Sequence, residues 1–268
     1  MMTERVQQPI LSVVGLEKAF GGVQAVQGAE FEVLEGSITA LIGPNGAGKS
    51  TVVNLIAGAL RPDAGKIRFR NNDITGYKPH QVARNGLIRT FQISREYPAM
   101  TVLENLMVSP LTQTGEHLFS ALFRRKRYQG QEREFVEKAL HILDEFGLYE
   151  MRNEYARNLS GGQKRLLELA RAVMAEPKML ILDEPMAGIN PALISRIGEH
   201  MLRLKEESGY TFLMVEHNLD VVERICDHVV VLAVGRTLAQ GTMSELRQDA
   251  EVVSAYLTGG SVGAGTKG

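Results

Sequence analysis

The sequence has very little cysteine and no long apolar run. Its single cysteine, Cys226, excludes an internal disulfide and a thiolate cluster for zinc or an iron–sulfur centre, which is typical of a protein from a reducing cytosol. The richest apolar run, residues 229–234, is far shorter than the roughly 18–20 residues that span a bilayer. The first nine residues include Glu4 and Arg5 and lack the apolar core of a secretory signal. We therefore expect a globular protein that is neither exported nor inserted into a membrane.

An excess of charge of one sign is also missing. The chain has 30 Lys and Arg against 31 Asp and Glu, a formal net charge of -1, so charge gives no reason to expect nucleic acid binding. The one sharp basic cluster, Arg124–Arg127, could contact phosphate or lipid headgroups, although such a run is usually a solvated helix face. The six histidines form no close pair with metal-ligand spacing, so a zinc site has little support.

Hydrophobic patterning along the chain predicts an α/β protein. Alternating apolar and polar residues over 10–20 and 23–33 predict antiparallel strands joined by a turn at Gly21 and Gly22. Continuous apolar runs predict buried strands at residues 38–42, 179–182 and 211–215. Two further strands are predicted at residues 229–234 and 237–240. The chain therefore combines an antiparallel β-layer with a mainly parallel core sheet.

The middle of the chain, from about residue 93 to residue 175, is predicted to form a helical subdomain. One amphipathic stretch in it keeps four residues at helical spacing, namely Val136, Leu140, Leu143 and Gly147. A second helix, after residue 160, presents an apolar face made of Leu166, Leu169, Ala170 and Val173. A last helix is predicted around residues 244–257, before a glycine-rich tail, residues 259–268, that is expected to be flexible.

A phosphate-binding loop lies between the predicted strand at 38–42 and a predicted helix. It consists of Gly43, Pro44, Asn45, Gly46, Ala47, Gly48, Lys49 and Ser50, followed by Thr51. The glycines allow successive backbone N–H groups to point at the α- and β-phosphates, and the helix start adds its positive end. In this pattern Lys49 reaches the β- and γ-phosphates and the Ser50 hydroxyl is a ligand of Mg²⁺. The loop therefore predicts binding of a nucleoside triphosphate.

Two carboxylates, Asp183 and Glu184, follow the apolar strand at 179–182. The carboxyl ends of parallel strands face the ligand crevice, so Asp183 is predicted to bind Mg²⁺ and Glu184 to act as the general base for the attacking water. Taken alone, Asp-Glu-Pro is also good turn chemistry, and a solvated turn is then equally consistent with it. The phosphate loop in the same chain favours the catalytic interpretation.

A third motif comprises Leu159, Ser160, Gly161, Gly162 and Gln163. Ser160 is predicted to cap a helix that begins near Gly162, and the glycines allow the positive helix end to approach a phosphate. Because this chain already has its own phosphate loop, the motif would serve a second nucleotide. With the two preceding motifs it makes the chain resemble the ATP-binding subunits of ABC transporters.

This resemblance covers about residues 11–257 and implies one nucleotide-binding domain of the ABC type, residues 1–258, with ATP and Mg²⁺ as ligands. It implies a head-to-tail pair of subunits in which Ser160–Gln163 of one subunit contacts the nucleotide of the other. Gln92 resembles the glutamine that contacts Mg²⁺ and water, and His217 resembles the switch histidine at the γ-phosphate. Phe20 resembles the aromatic residue that stacks on adenine, with a core position as the alternative.

One position departs from the family pattern. Asn190 stands where an aspartate is common, which puts coupling between subunits at this residue in doubt. Several other stretches look like the LivG-like ATPases of branched-chain amino acid importers, among them residues 89–92, 100–105, 187–191 and 255–257. Urea importers and lipopolysaccharide-export ATPases share parts of these strings and remain alternatives.

The resemblance implies an ATPase at the cytoplasmic face of the membrane that drives a permease for branched-chain or related amino acids. Its implied partners are the permease subunits, a second ATPase subunit and, indirectly, a solute-binding protein. A soluble ABC ATPase acting on nucleic acid or ribosomes would normally carry two cassettes or a coiled-coil insertion, and neither is visible here. A nucleotide switch without hydrolysis could dispense with Glu184, so a steady-state ATPase assay separates that alternative.

Overall fold

A computed structural model describes the backbone of residues 8–90, 96–108 and 125–257, with all of their side chains except those of residues 125–132, 256 and 257. The strands are β1 (Pro9–Phe20), β2 (Val23–Leu34), β3 (Ile38–Ile42), β4 (Ala64–Phe69), β5 (Asn72–Asp73), β6 (Leu87–Arg89), β7 (Met179–Asp183), β8 (Thr211–Val215), β9 (His228–Ala233) and β10 (Arg236–Gly241). The helices are α1 (Lys49–Ile56), α2 (Pro79–Arg84), α3 (Val102–Met107), α4 (Arg125–Glu145), α5 (Gly161–Met174), α6 (Pro191–Ser208), α7 (Leu219–Ile225), α8 (Met243–Leu246) and α9 (Ala250–Leu257). Short 3-10 helices lie at Tyr149–Met151 and Ala156–Asn158.

The strands form two sheets, as the patterning predicts. One is antiparallel, in the order β2-β1-β4-β5. The other has the order β10-β9-β3-β8-β7-β6, and its strands are parallel except for β10, which pairs antiparallel with β9. The predicted α/β class, with a mainly parallel core sheet and an antiparallel layer, is therefore confirmed.

The described residues divide into two compact units. The first unit comprises residues up to 89, 178–187 and 201–257, and both sheets belong to it. Every residue of β3, β7 and β8 is buried, as expected for parallel strands covered on both faces. Their side chains share one apolar core with α1 and the antiparallel sheet; its members include Leu11, Phe31, Phe69, Leu41, Val52, Ile56, Ile181, Val215 and Leu232.

The second unit comprises residues 90–177 and 188–200 and is helical where it is described. The apolar face predicted for α5 is confirmed, because Leu166, Leu169, Ala170 and Val173 are all buried. Since α6 runs from 191 to 208, its first half belongs to this unit and its second half to the other. Among the described helices, none combines the length and the apolar character needed to span a membrane.

The face predicted for α4 is wrong by about one residue. The buried side chains in this stretch are Ala139, Ile142, Leu143 and Phe146, whereas Val136 and Leu140 are only partly buried and Gly147 is exposed. Gly147 lies beyond the helix, at φ 62°, where it donates to the carbonyl of Asp144 while Leu148 donates to that of Leu143. This pair of hydrogen bonds is a Schellman motif. The glycine therefore ends the helix instead of extending its apolar face.

The single helix predicted at 244–257 is also wrong. The chain forms α8 and α9 there, separated at residues 247–249. The side chain of Asp249 accepts hydrogen bonds from the backbone N–H groups of Glu251, at 2.8 Å, and Val252, at 3.3 Å. An aspartate that caps a helix start competes with continuation of the preceding helix, and this explains the break. The glycine-rich tail lies outside the described residues.

Candidate active site

The phosphate loop connects the buried strand β3 to helix α1, as the sequence predicts. Two of its glycines are required by close packing, because a Cβ atom at Gly43 would lie 2.1 Å from the carbonyl oxygen of Leu232. A Cβ atom at Gly48 would lie 2.5 Å from the carbonyl oxygen of Ala25. Gly48 also has a φ of 95°, in the left-handed region that favours glycine. The backbone of the loop is therefore fixed by the strands around it.

The ammonium group of Lys49 lies inside this loop. Its Nζ donates to the carbonyl oxygens of Gly43, at 2.8 Å, and Pro44, at 3.0 Å, and the residue is only 6% exposed. Burial lowers the pKa of Lys49, while the carboxylates of Glu184 and Asp183 act in the opposite direction. One cation is thus held beside two carboxylates that come from a distant part of the chain.

The amino end of helix α1 lies at the phosphate loop. Its N-cap residue is Gly48, which has no side chain to satisfy the first N–H groups of the helix. Such unsatisfied N–H groups, together with the helix dipole, favour an anion. Ser50, in the first turn, is exposed, and so are Asn45 and Gly46 in the loop. The arrangement offers the backbone donors and the hydroxyl that the sequence motif predicts.

The two acids at the end of β7 are held in different ways. Asp183 pairs in register with Val215 of β8 and is 5% exposed. Glu184 follows the strand with a φ of 50°, and its N–H donates to the carbonyl of Val215 at 3.0 Å. A left-handed conformation at a residue other than glycine costs about 1–3 kcal/mol and tends to occur at functional sites. This strained backbone is a feature that the sequence does not reveal.

Glu184 and His217 meet across the ends of β7 and β8. The distance between Glu184 Oε1 and His217 Nε2 is 3.1 Å, and the side chains are 26% and 44% exposed, respectively. The sequence links His217 to the site of Glu184 through the family resemblance alone, whereas the structure places the two side chains within hydrogen-bonding distance. A carboxylate next to an imidazole at the edge of the sheet can accept a proton and orient a water molecule.

Arg89 is a site residue that sequence reasoning missed. Its Nη2 pairs with Asp183 Oδ2 at 2.6 Å, and its Nη1 donates to Asn54 Oδ1 of α1 at 2.5 Å. Arg89 ends β6, which lies next to β7 in the sheet, so the carboxyl ends of these strands bring the pair together. In the sequence, Arg89 stands out only because residues 89–92 look like a stretch of other ATPases. A guanidinium therefore ties the helix after the phosphate loop to the acid at the end of β7.

We expect the Arg89→Met variant to lose about 3 kcal/mol of unfolding free energy, because it leaves the buried Asp183 carboxylate without its partner. Denaturation in urea measures this loss. A matched control is Lys18→Met, since Lys18 pairs with Asp63 at the same distance of 2.6 Å but Asp63 is 47% exposed. The control should lose clearly less unfolding free energy than Arg89→Met, because water screens the exposed pair. Equal losses in the two variants would contradict the role of burial.

Phe20 ends β1 and is 45% exposed, which is against the alternative that it is a core residue. Lys18 Nζ lies 5.7 Å from the centroid of its ring. An exposed aromatic ring is what stacking on a base requires, and stacking on adenine stays a prediction.

Gln92 lies outside the described residues. Arg124 also lies outside them, as do the side chains of residues 125–127.

The motif at Ser160 lies in the second unit, at the start of α5. Ser160 Oγ accepts from the N–H of Gln163 at 3.3 Å, and the Gln163 side chain accepts from the N–H of Ser160 at 2.9 Å. The predicted cap is therefore confirmed, as a reciprocal capping box. A Cβ atom at Gly162 would lie 2.0 Å from Leu193 Cδ2, whereas one at Gly161 would meet nothing within 4 Å. A side chain at position 162 would therefore displace the tip of the Leu193 side chain, and Gly161 faces open space.

Asn190, the departure from the family pattern, caps helix α6. Its Oδ1 accepts from the N–H of Leu193 at 3.0 Å, and Pro191 is the first residue of the helix. Asparagine and aspartate are about equally good at this position. The substitution therefore preserves the local hydrogen bond.

Comparison with known proteins gives a consistent result. The family model described as ABC transporter matches residues 26–187. The probable branched-chain amino acid transport ATP-binding protein LivG of Archaeoglobus fulgidus is 44% identical over 248 residues, which are 92% of this chain and 95% of that protein. The high-affinity branched-chain amino acid transport ATP-binding protein BraF of Pseudomonas aeruginosa is 41% identical over 250 residues, which are 93% of this chain and 98% of that protein.

Solved structures show the same likeness. MJ1267, an ATP-binding cassette of an ABC transporter in its ADP conformation, is 40% identical and superposes with a TM-score of 0.81 over 93% of this chain and 99% of that one. A nucleotide-free ATP-binding cassette from an ABC transporter is also 40% identical, with a TM-score of 0.80 over 92% of this chain and 98% of that one. At this identity and coverage, the similarity extends over both described units.

Proposed function

Because this chain belongs to the ABC transporter family, we propose that it is the ATP-hydrolysing subunit of an importer for branched-chain or related amino acids. The observation that carries the substrate class is the identity of 41–44%, over more than nine tenths of the chain, to relatives named for that transport. The observation that carries hydrolysis is the contact of 3.1 Å between Glu184 and His217, together with the effect of the Glu184 charge on the pKa of Lys49 in the phosphate loop.

The phosphate loop binds the triphosphate in this proposal. Backbone N–H groups of the loop and of the first turn of α1 hold the phosphate oxygens, and Lys49 supplies the positive charge. For Lys49 to reach the phosphates, its Nζ exchanges the carbonyl oxygens of Gly43 and Pro44 for phosphate oxygens. The exposed ring of Phe20 stacks on the base.

The residues present fit Mg²⁺. In proteins this ion is usually bound by one or two side-chain oxygens together with water and phosphate oxygens. Among the described residues, no group of three His, Cys, Asp or Glu could hold a metal ion without such additional ligands. Ser50 offers an exposed hydroxyl, and Asp183 keeps Oδ1 while its Oδ2 is paired with Arg89. Gln92 completes the ligands expected from the sequence. When bound, the ion neutralises charge on the transferred phosphoryl group.

Hydrolysis proceeds by in-line attack of water on the γ-phosphorus. Glu184 accepts a proton from the water as the new P–O bond forms, and the bond to the ADP oxygen breaks. His217 holds the Glu184 carboxylate and contacts the γ-phosphate. Lys49 and the loop N–H groups stabilise the developing negative charge. The Ser160–Gln163 helix start of a second ATPase subunit closes over the same nucleotide.

The partners in this proposal are permease subunits, a second ATPase subunit and, indirectly, a solute-binding protein, while no nucleic acid is expected. The chain lies at the cytoplasmic face of the membrane as a peripheral subunit. Co-expression with permease subunits of a branched-chain amino acid importer, followed by purification through a tag on this chain, tests the assembly. Recovery of the permease supports it, and recovery of ribosomes or nucleic acid instead would contradict it.

We expect Lys49→Ala to weaken binding of both ATP and ADP by about tenfold or more, because it removes the cation that reaches their terminal phosphates. Calorimetric titration of the purified chain measures both affinities. Lys66→Ala, which removes an exposed cation on β4, is the matched control and should bind both nucleotides as the wild type does. Unchanged affinity in a folded Lys49→Ala variant would remove this residue from the nucleotide site.

A further inference from the structure

Glu216, the residue that follows β8, is a buried carboxylate with no role so far in hydrolysis. It is only 4% exposed. Its Oε1 accepts from the N–H of Met186 at 2.9 Å, and its Oε2 accepts from the N–H groups of His217, at 3.1 Å, and Asn218, at 3.4 Å. A glutamate is seldom this buried unless its oxygens are satisfied, and here three backbone donors satisfy them.

Burial of Glu216 disfavours the charged form of its carboxylate. Burial raises the pKa of Glu216, the three backbone hydrogen bonds act against that rise, and the nearby charge of Glu184 adds to it. Burying a carboxylate near a second carboxylate costs free energy, and a less costly residue could satisfy the same loop N–H groups. The position therefore calls for an explanation beyond local turn formation.

The hydrogen bonds of Glu216 connect the two segments that carry Glu184 and His217. Met186 is two residues beyond Glu184, and His217 directly follows Glu216. The segments also meet where the N–H of Glu184 donates to the carbonyl of Val215, at 3.0 Å. The contact of 3.1 Å between the side chains of Glu184 and His217 is a further link between the two segments, on their exposed side. Glu216 is thus a buried residue whose hydrogen bonds connect the two segments that carry this catalytic pair.

We infer that Glu216 is a positioning residue that holds Glu184 and His217 in the geometry needed for hydrolysis. The inference rests on the catalytic roles proposed above for that pair. A shift of about 1 Å in a reacting group can lower the rate about a hundredfold. The hydrogen bonds of Glu216 therefore matter more for turnover than for nucleotide binding. The effect belongs in kcat, with little change in KM for ATP.

The test is a double-mutant cycle of ATP hydrolysis by the full chain, with Glu216→Gln and His217→Ala. A glutamine amide presents N–H donors on one side, so it loses the hydrogen bond to either Met186 or His217. We expect Glu216→Gln to lower kcat by about 10- to 100-fold with KM within about threefold. Because both residues act on one geometry, His217→Ala should cost at least about tenfold less in the Glu216→Gln background than in the wild type.

Equal factors for His217→Ala in both backgrounds would overturn the inference, even where Glu216→Gln is slow, because a general loss of folded protein acts independently of His217. The matched control is Glu245→Gln, since the Glu245 carboxylate accepts the N–H of Thr242 at 2.8 Å in the capping box of α8. This variant should keep the wild-type kcat and the full effect of His217→Ala.

The outcome also separates this inference from the proposed function. A wild-type chain that hydrolyses no ATP would contradict the proposed function itself, whereas an active wild type with an additive cycle contradicts only the role of Glu216. Should Glu216→Gln fail to give a cooperative thermal transition, Glu216→Asp takes its place in the cycle. The shorter side chain keeps the charge but cannot span both loops, so the same loss of coupling to His217 is expected.

Discussion

The Glu184→Gln variant is expected to hydrolyse ATP about 100- to 10,000-fold more slowly than the wild type while binding ATP with the same affinity. The amide cannot accept the proton of the attacking water, and it differs from the carboxylate by a single atom. The left-handed backbone at residue 184 is unchanged by this substitution. Release of inorganic phosphate measures turnover, and fluorescence titration with ATP measures binding. ATP that is bound but not cleaved should also favour dimers in size-exclusion chromatography.

The control for this variant is Glu223→Gln. Glu223 lies in the same unit, is 44% exposed and pairs with Arg247 at 2.6 Å, so its loss should leave turnover unchanged. Near-normal hydrolysis by Glu184→Gln would remove this residue from the mechanism and reopen the assignment of both acids at the end of β7.

The second large effect is expected from Ser160→Arg. The monomer should still bind ATP, because the phosphate loop is untouched, but turnover should fall about 100-fold because the large cation blocks closure over the nucleotide of the other subunit. In a heterodimer with a wild-type partner, the loss should appear at the ATP bound to the partner. Lys49→Ala, in contrast, should damage the site of this chain itself.

Loss of a helix cap also costs about 1 kcal/mol, so this variant needs a control with the same structural defect. Thr101→Arg provides it, because Thr101 caps α3 with a capping box of the same kind in the same unit. This control should retain turnover at a similar loss of stability. Nucleotide trapping that distinguishes the two subunits shows which nucleotide site each variant disables. If Ser160→Arg and Lys49→Ala disabled the same site, the head-to-tail arrangement would be contradicted.

Much of the fold follows from local patterns in the sequence. Strand alternation on both sides of Gly21 and Gly22 predicts β1 and β2, and the buried runs predict the central strands of the core sheet. The cap at Ser160 also follows from local chemistry, since a serine followed three residues later by glutamine is a capping box. Such features depend only on residues that are close along the chain.

The contacts that the sequence does not predict join residues that are distant along the chain. The ion pair of Arg89 with Asp183 joins residues 94 apart, and the hydrogen bond of Glu216 to Met186 joins residues 30 apart. No local pattern encodes such contacts, because they arise when neighbouring parallel strands end at one edge of the sheet. The wrong face of α4 has a local cause, since Gly147 fits the helical spacing and yet ends the helix in a Schellman motif.

Uptake into proteoliposomes tests whether ATP hydrolysis by this chain drives amino acid import. The vesicles contain this chain, its partner ATPase and the permease, with the solute-binding protein outside and ATP inside. We expect labelled leucine to accumulate with the wild-type chain and not with Glu184→Gln. Accumulation of urea without leucine, or leucine uptake that is equal in the two preparations, would contradict it.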